Sequence, residues 1–206
     1  MAHAGEWFQN VKTKELAQLK VSPEETGGRR LEAELWLQPG GAVLGEHVHD
    51  HLHERFTVLD GELMVVLDGK RSVAGPGTVV DVPPGRSHDW SNHGATVAHV
   101  RVEVEGQPPT VVRFTELIEV VFGLANTGHT DEAGKPTPLW LAATATEYRD
   151  VMRLTSPPAI VQRAVLGPLA AVARRRGCDP RAGWLHGPGC PARVPAPSSP
   201  PSYVVS

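Results

Sequence analysis

The chain has 206 residues, 40% of them hydrophobic and 5% aromatic, with a net charge of −3. That length supports one domain with a substantial core and leaves no room for two ordinary ones, and the near-neutral balance gives no basic footprint for nucleic acid. The two cysteines, Cys178 and Cys190, are too few for a disulfide framework, and no apolar run reads as a signal peptide or a membrane span, so a reduced, cytoplasmic protein is expected.

Residues 1–30 are expected to add short strands to the body that follows. From residue 31 the chain reads as strand after strand. "LEAELWL" (31–37) alternates, with Leu31, Ala33, Leu35 and Leu37 on one side and Glu32, Glu34 and Trp36 on the other. "ERFTVLD" and "ELMVVLD" flank Gly61, a tight hairpin signal, and Asp68-Gly69-Lys70 supplies a second turn. "AGPGTVVDVPPG" gives turn, strand and turn, "HDWSNHG" closes another strand, and "TVAHVRVEV" (96–104) is a long alternating one. Short strands separated by regular turn signals, in a chain with 21 glycines and 19 prolines, predict an all-β sandwich or barrel.

The texture changes near residue 112. Phe114, Leu117, Ile118, Val121 and Phe122 fall at helical spacing, and Asn126 and Gly128 end the run. A second helix is expected after Thr137 with Pro138 in its first turn. A third is expected with Ser156 as its cap and Pro157 or Pro158 opening it, kinked at Pro168. Its apolar face is expected to pack on the barrel or on a partner subunit, with a membrane surface as the alternative. Arg174-Arg175-Arg176 would favour the negative end of its dipole. From Pro158 onward six arginines face one acid, Asp179, so this end is basic and the remainder acidic. Residues 178–206 are rich in Pro, Gly and Ser without periodicity, and disorder is expected there.

The chemistry concentrates in "GEHVHDHLHERF", residues 45–56. On a strand, residues i and i+2 share a face, so His47 and His49 project two imidazoles side by side. A carboxylate at Glu54, on the next strand, can reach back to the same point. His88, after the Pro83-Pro84-Gly85 turn, is a fourth candidate. Three imidazoles and a carboxylate form a mixed site suited to Fe(II), Mn(II), Ni(II), Co(II) or Zn(II), one ion per chain, with positions left for water or substrate. The bland alternative is a relic in which the four groups hydrogen-bond one another. His51 and His53 are expected in the loop before Glu54, with His53 facing away from it.

Two spacings carry a resemblance. Gly41, His47, His49, Glu54 and Gly61 fit G-x5-H-x-H-x4-E-x6-G, and Gly77, Pro83, Gly85, His88 and Asn92 fit G-x5-P-x-G-x2-H-x3-N. These resemble the two signature motifs of the cupin superfamily. The resemblance implies a mainly β, cupin-type jelly-roll β-barrel with a C-terminal helical extension, divided as barrel 31–111, helices 112–177 and tail 178–206. It implies that His47, His49, Glu54 and His88 are metal ligands. The helical segments also resemble those of a group of single-domain bacterial cupins, and a homodimer follows by the same likeness. An open metal position in an apolar barrel implies an enzyme acting on a small molecule. The first reading is a dioxygenase-like oxidoreductase for a phenolic or diketone-like substrate, with Glu54 as ligand and base. The alternatives are a Lewis-acid cyclase, isomerase or lyase, and a non-catalytic binding module. Phe56, Trp90 and Arg101 are candidate substrate contacts, each also readable as packing or solvated surface.

Overall fold

The computed structural model describes residues 2–43 and 45–198. In chain order the strands are β1 (Trp7–Asn10), β2 (Glu15–Val21), β3 (Arg30–Leu37), β4 (His47–Val48), β5 (Leu52–Asp60), β6 (Leu63–Leu67), β7 (Lys70–Ala74), β8 (Val79–Val82), β9 (Ser87–Ser91), β10 (Ala98–Gly106), β11 (Arg153–Leu154) and β12 (Arg193–Val194). The helices are α1 (Thr110–Asn126), α2 (Pro138–Glu147) and α3 (Ala159–Arg175). Seven strands form one sheet, in the order β12-β1-β2-β3-β10-β5-β8, and five form the other, β11-β4-β9-β6-β7. Every pairing is antiparallel. This is the mainly β jelly roll with C-terminal helices that the motifs imply.

Alternation assigns the faces. β3 turns Leu31, Leu35 and Leu37 inward, and β10 turns Ala98, Val100 and Val104 inward against them. Opposite charges line the outer face of the same pair, where Arg30 bridges Glu32 and Glu103 at 2.8 and 2.7 Å and His99 approaches Glu34 at 3.3 Å. Trp36 also points outward, yet it is buried between the rings of Trp7 and His99, with centroids at 5.2 and 4.5 Å.

One corner and one hairpin shape the sheets. Gly61 does not close the expected hairpin, because β5 and β6 pair in different sheets; it turns the chain from one sheet to the other with φ +73°, and its N–H is capped by the Asp60 carboxylate at 2.8 Å. Asp68 and Gly69, both with positive φ, make the two-residue turn from β6 to β7 that suits the right-handed strand twist. Between the sheets lies a core that includes Leu35, Leu37, Val58, Leu63, Val65 and Val100. Full burial of each such side chain contributes about 1.5–3 kcal/mol. A second core joins one end of the large sheet to the helices, through Phe8, Leu31, Val104, Leu117, Val120, Leu124 and Trp140.

Three expectations about the C-terminal part need correction. Residues 178–198 are not a disordered tail. β12 pairs with β1, and Leu185, Cys190 and Ala192 are buried in the second core. The chain holds this segment with few but well-placed groups: Arg193 bonds Glu119 of α1 at 2.7 Å, and the Asn126 amide donates to Pro191 O at 2.9 Å. Residues 199–206 of the expected tail lie outside the described residues. Second, α3 starts at Ala159 with Pro158 as its cap residue, not Ser156, because two consecutive prolines hold the chain extended before it. Third, of the two surfaces expected to receive the apolar face of α3, the barrel or a partner subunit, the barrel is not the one it meets. The helix packs beside α2, with Ala170 and Ala173 buried, while Ile160, Val161 and Val165 remain exposed. No helix among the described residues is long and apolar enough to cross a membrane.

Candidate metal centre

β4 is only two residues long, held between β9 and β11. His47 pairs with His88 on one side and with Leu154 on the other. β5 crosses in the opposite sheet and turns Glu54 inward beside Val104 of β10. His47, His49, Glu54 and His88 therefore converge, with one potential ligand atom from each lying within 4.8 Å of the others. The ring centroids of His47 stand 4.9 Å from those of His49 and 4.3 Å from those of His88. His49, Glu54 and His88 are buried and His47 is half-buried.

Backbone carbonyls set the tautomers. His47 Nδ1 contacts Gly45 O at 2.8 Å, His49 Nδ1 contacts Val151 O at 2.7 Å, and His88 Nδ1 contacts Arg86 O at 3.3 Å. A carbonyl only accepts, so each Nδ1 donates and each neutral ring presents its Nε2 lone pair to the centre. His49 Nε2, His88 Nε2 and Glu54 Oε2 are buried without a hydrogen-bond partner. His88 Nε2 and Glu54 Oε2 approach to 2.7 Å without the alignment of a hydrogen bond. Two electron-rich atoms at that distance call for a positive charge, either a proton on His88 or a metal ion. The donor set and its orphaned atoms fit a divalent cation.

The electrostatics agree with this fit. Burial pushes the His47 imidazole down to about 3, and the nearby His88 and His49 add to the effect. Burial alone would raise Glu54, but His49, His88 and His47 outweigh it and hold the carboxyl at about 2. Burial likewise works against charge on His88, and contact with Glu54 overcomes it, so its pKa is raised. The centre thus keeps a carboxylate and a neutral His47 at neutral pH, which is the protonation state of ligands.

The cluster opens on a cavity of about 180 Å³ whose wall is overwhelmingly apolar. Phe56 and Trp90 line it, their rings 5.5 Å apart. α1 closes one side with Phe114, Ile118 and Phe122, one turn apart along a single face, and Met152 and Leu154 complete the rim. The Phe114 ring stands edge-on to His49 at 5.4 Å.

Arg101 is not among the groups brought together here. It lies on the outer face of β10, 3.4 Å from Glu32, because β10 turns its valines inward. His51 is exposed at a bend, whereas His53 belongs to β5 and not to a loop. His53 faces away from Glu54 and meets Asp81 at 2.9 Å. The sequence reading did not find three contributors. Glu15 lines the cavity from β2, and the alternation Glu15, Ala17, Leu19 carried that signal. The apolar spacing of α1 was legible, but not that its Phe114 face roofs the cavity. The Val151 carbonyl that orients His49 is 102 residues away in the chain and left no local trace.

Residues 34–105 match a family model described as "Cupin domain". No curated protein matches the chain. Many solved structures match part of the chain. A predicted oxalate decarboxylase from Thermotoga maritima is 26% identical, with a TM-score of 0.43 over 45% of this chain and 81% of that one. A sugar phosphate isomerase from Silicibacter pomeroyi is 19% identical, with a TM-score of 0.42 over 52% and 71%. The polyketide cyclase RemF from Streptomyces resistomycificus is 21% identical, with a TM-score of 0.41 over 53% and 73%.

Proposed function

Because the chain belongs to the cupin superfamily through its domain at residues 34–105, we propose that it is a metal-dependent enzyme acting on a small, largely apolar, oxygen-bearing molecule, with His47, His49, Glu54 and His88 as the ligands of one divalent ion. The observation that carries this reading is the opening of a His3–Glu cluster directly onto an apolar cavity. The cavity volume, about 180 Å³, exceeds the ~150 Å³ that accommodates benzene in an engineered protein cavity. A ring-sized substrate fits. Phosphorylated sugars suit such a wall poorly, since a phosphate carried away from the metal loses its hydration with no Lys or Arg among the lining residues to compensate.

A phenolic or diketone-like substrate meets both requirements, an apolar body and oxygen atoms for the metal. When bound, an Fe or Mn ion would supply dioxygen chemistry, and a Zn or Ni ion would supply Lewis acidity. The chain's own part is to hold the ligands and exclude water. The carbonyls of Gly45, Val151 and Arg86 fix the three imidazoles, and Phe56, Trp90 and Phe114 keep the substrate side dry. Glu54, as a carboxylate at the cavity wall, can accept a proton from a hydroxyl or an activated carbon in reach. A dioxygenase-like oxidoreductase is the first reading, and Lewis-acid cyclisation or isomerisation uses the same geometry.

The test is oxygen uptake by Fe(II)-loaded protein against a panel of catechols and β-diketones, with azide added to Co(II)-loaded protein in parallel. Turnover that disappears in Glu54→Ala, together with an azide-perturbed Co(II) spectrum, is expected. A Co(II) spectrum inert to azide, with no turnover of any panel member, would replace the enzyme with a binding module.

A further inference from the structure

Three carboxylates line the cavity wall: Glu15, Glu54 and Glu119. Glu54 belongs to the metal cluster, and Glu119 is engaged by Arg193 at 2.7 Å and by His186 at 3.2 Å, which leaves Glu15. Glu15 lies on β2 opposite Leu37 of β3, which in turn faces Ala98 of β10. Glu54 faces Val104 of β10. Glu15 is thus registered toward the Ala98 end of the sheet and Glu54 toward its Val104 end, so Glu15 belongs to a different part of the wall from the metal cluster. It nevertheless lines the same cavity and is only 6% exposed. A carboxyl among Ala17, Leu35, Val43 and Trp90 has no packing rationale, since an apolar residue there would bury more favourably.

Its hydrogen bonding is half complete. The Thr13 hydroxyl donates to Oε2 across the β1–β2 turn. Among the described residues Oε1 has no partner. Asn10 stands opposite Glu15 in the β1–β2 ladder, on the same face, with its Oδ1 taken by the N–H groups of Lys12 and Thr13. Its Nδ2 is buried and unpartnered. Glu15 thus brings an unfilled carboxyl oxygen to the wall of an otherwise apolar chamber.

We propose that Glu15 is a substrate-positioning residue, whose free oxygen takes up a hydroxyl or carbonyl that the substrate carries away from its metal-binding atoms. This deepens the reading of the cavity as a substrate site and rests on it. Burial raises the Glu15 carboxyl to about 7, against the opposing hydrogen bond from Thr13. The group can therefore meet a carbonyl as a donor when protonated, or a hydroxyl as an acceptor. Either way it favours a neutral polar end and disfavours an anionic one. The implied substrate class is an uncharged apolar molecule with at least one oxygen function besides those presented to the metal.

Phenol and toluene, nearly equal in size and differing in one hydroxyl, are the probes. Their affinities are measured by ligand-observed NMR on the full chain, both chelated and metal-loaded, for the wild type, Glu15→Leu and Glu15→Gln. The wild type is expected to prefer phenol by about tenfold. Glu15→Leu should abolish that preference by weakening phenol alone, and Glu15→Gln, which retains a donor and an acceptor, should keep it within about threefold. In the unsubstituted protein, the Glu15 carboxyl carbon resonance should move with phenol and stay with toluene, which covers the case in which Glu15→Leu fails to fold. A preference that survives in Glu15→Leu, or an absent preference together with an unmoved resonance in the wild type, would overturn the assignment. Failure of the metal reading looks different: no ion is taken up, yet the Glu15-dependent preference persists in chelated protein.

Discussion

Glu15→Gln should change how stability depends on pH. The carboxyl is buried, and burial raises its pKa from 4.5 to about 7. The folded chain therefore holds a proton that the unfolded chain releases between those values. Below about 4.5 both states are protonated and the group contributes no pH dependence. As pH rises through the window the folded state must either keep its proton at growing cost or bury a charge, so stability falls, and it levels off above about 7. A shift of about 2.5 units at 1.36 kcal/mol each is about 3 kcal/mol, or about 6–12 °C in Tm for a domain of this size. Glutamine has the same shape and does not titrate. Urea unfolding at intervals from pH 4 to 8, with the metal state held constant, gives the wild type minus variant difference. The titrations of His47, Glu54 and His88 are common to both proteins and cancel in that difference. The wild type should lose about 3 kcal/mol relative to Glu15→Gln across the window. A difference that is flat to within about 0.5 kcal/mol would refute the argument that this carboxyl is buried in an apolar wall.

Three substitutions test the frame. Gly61 and Gly69 share φ +73°, but a Cβ on Gly61 would lie 2.4 Å from Val97 O, whereas none of the surrounding atoms comes within 4 Å at Gly69. Gly69→Ala should cost about 1 kcal/mol of backbone strain and Gly61→Ala clearly more, read as Tm; equal losses would show that the close approach at Gly61 is relieved without cost. Leu185→Ala removes a fully buried side chain from the second core and should cost about 2–5 kcal/mol in urea unfolding. An unchanged midpoint would return residues 178–198 to the disorder that their composition suggests.

The barrel was legible because its information is local. Alternation in residues 31–37 and 96–104 sorted the side chains into two faces, and Gly61 and Asp68-Gly69 marked turns that the structure forms, the first between sheets and the second in a hairpin. The four clustered residues were legible because two of them share a strand parity and the others sit at fixed distances from turn-forming glycines and a proline. What stayed hidden depends on long-range contact. Period-two reasoning placed Trp36 on the outer face, yet could not anticipate its burial between Trp7 and His99. That the valines of β10 and not its charges face inward, which keeps Arg101 out of the cavity, was by contrast the favoured reading of its alternation. The C-terminal segment has no periodicity to read, since it is held by single contacts such as Arg193 with Glu119 and Asn126 with Pro191. Its composition resembles that of a disordered chain, and only the partners supplied by α1 and β1 show otherwise. The strap at Val151–Leu154, which orients His49 and pairs with β4, is likewise invisible without the fold.

The most direct test of the account is the metal content of untagged protein, measured by mass spectrometry before and after chelation, alongside Glu54→Ala and His88→Ala. The account predicts close to one divalent transition ion per chain in the wild type, a fall in Tm when it is removed, and clearly lower occupancy in both variants. A wild type that holds no ion and takes none up on reconstitution, or variants with unchanged occupancy, would contradict it and leave His47, His49, Glu54 and His88 as a self-bonded relic in the barrel.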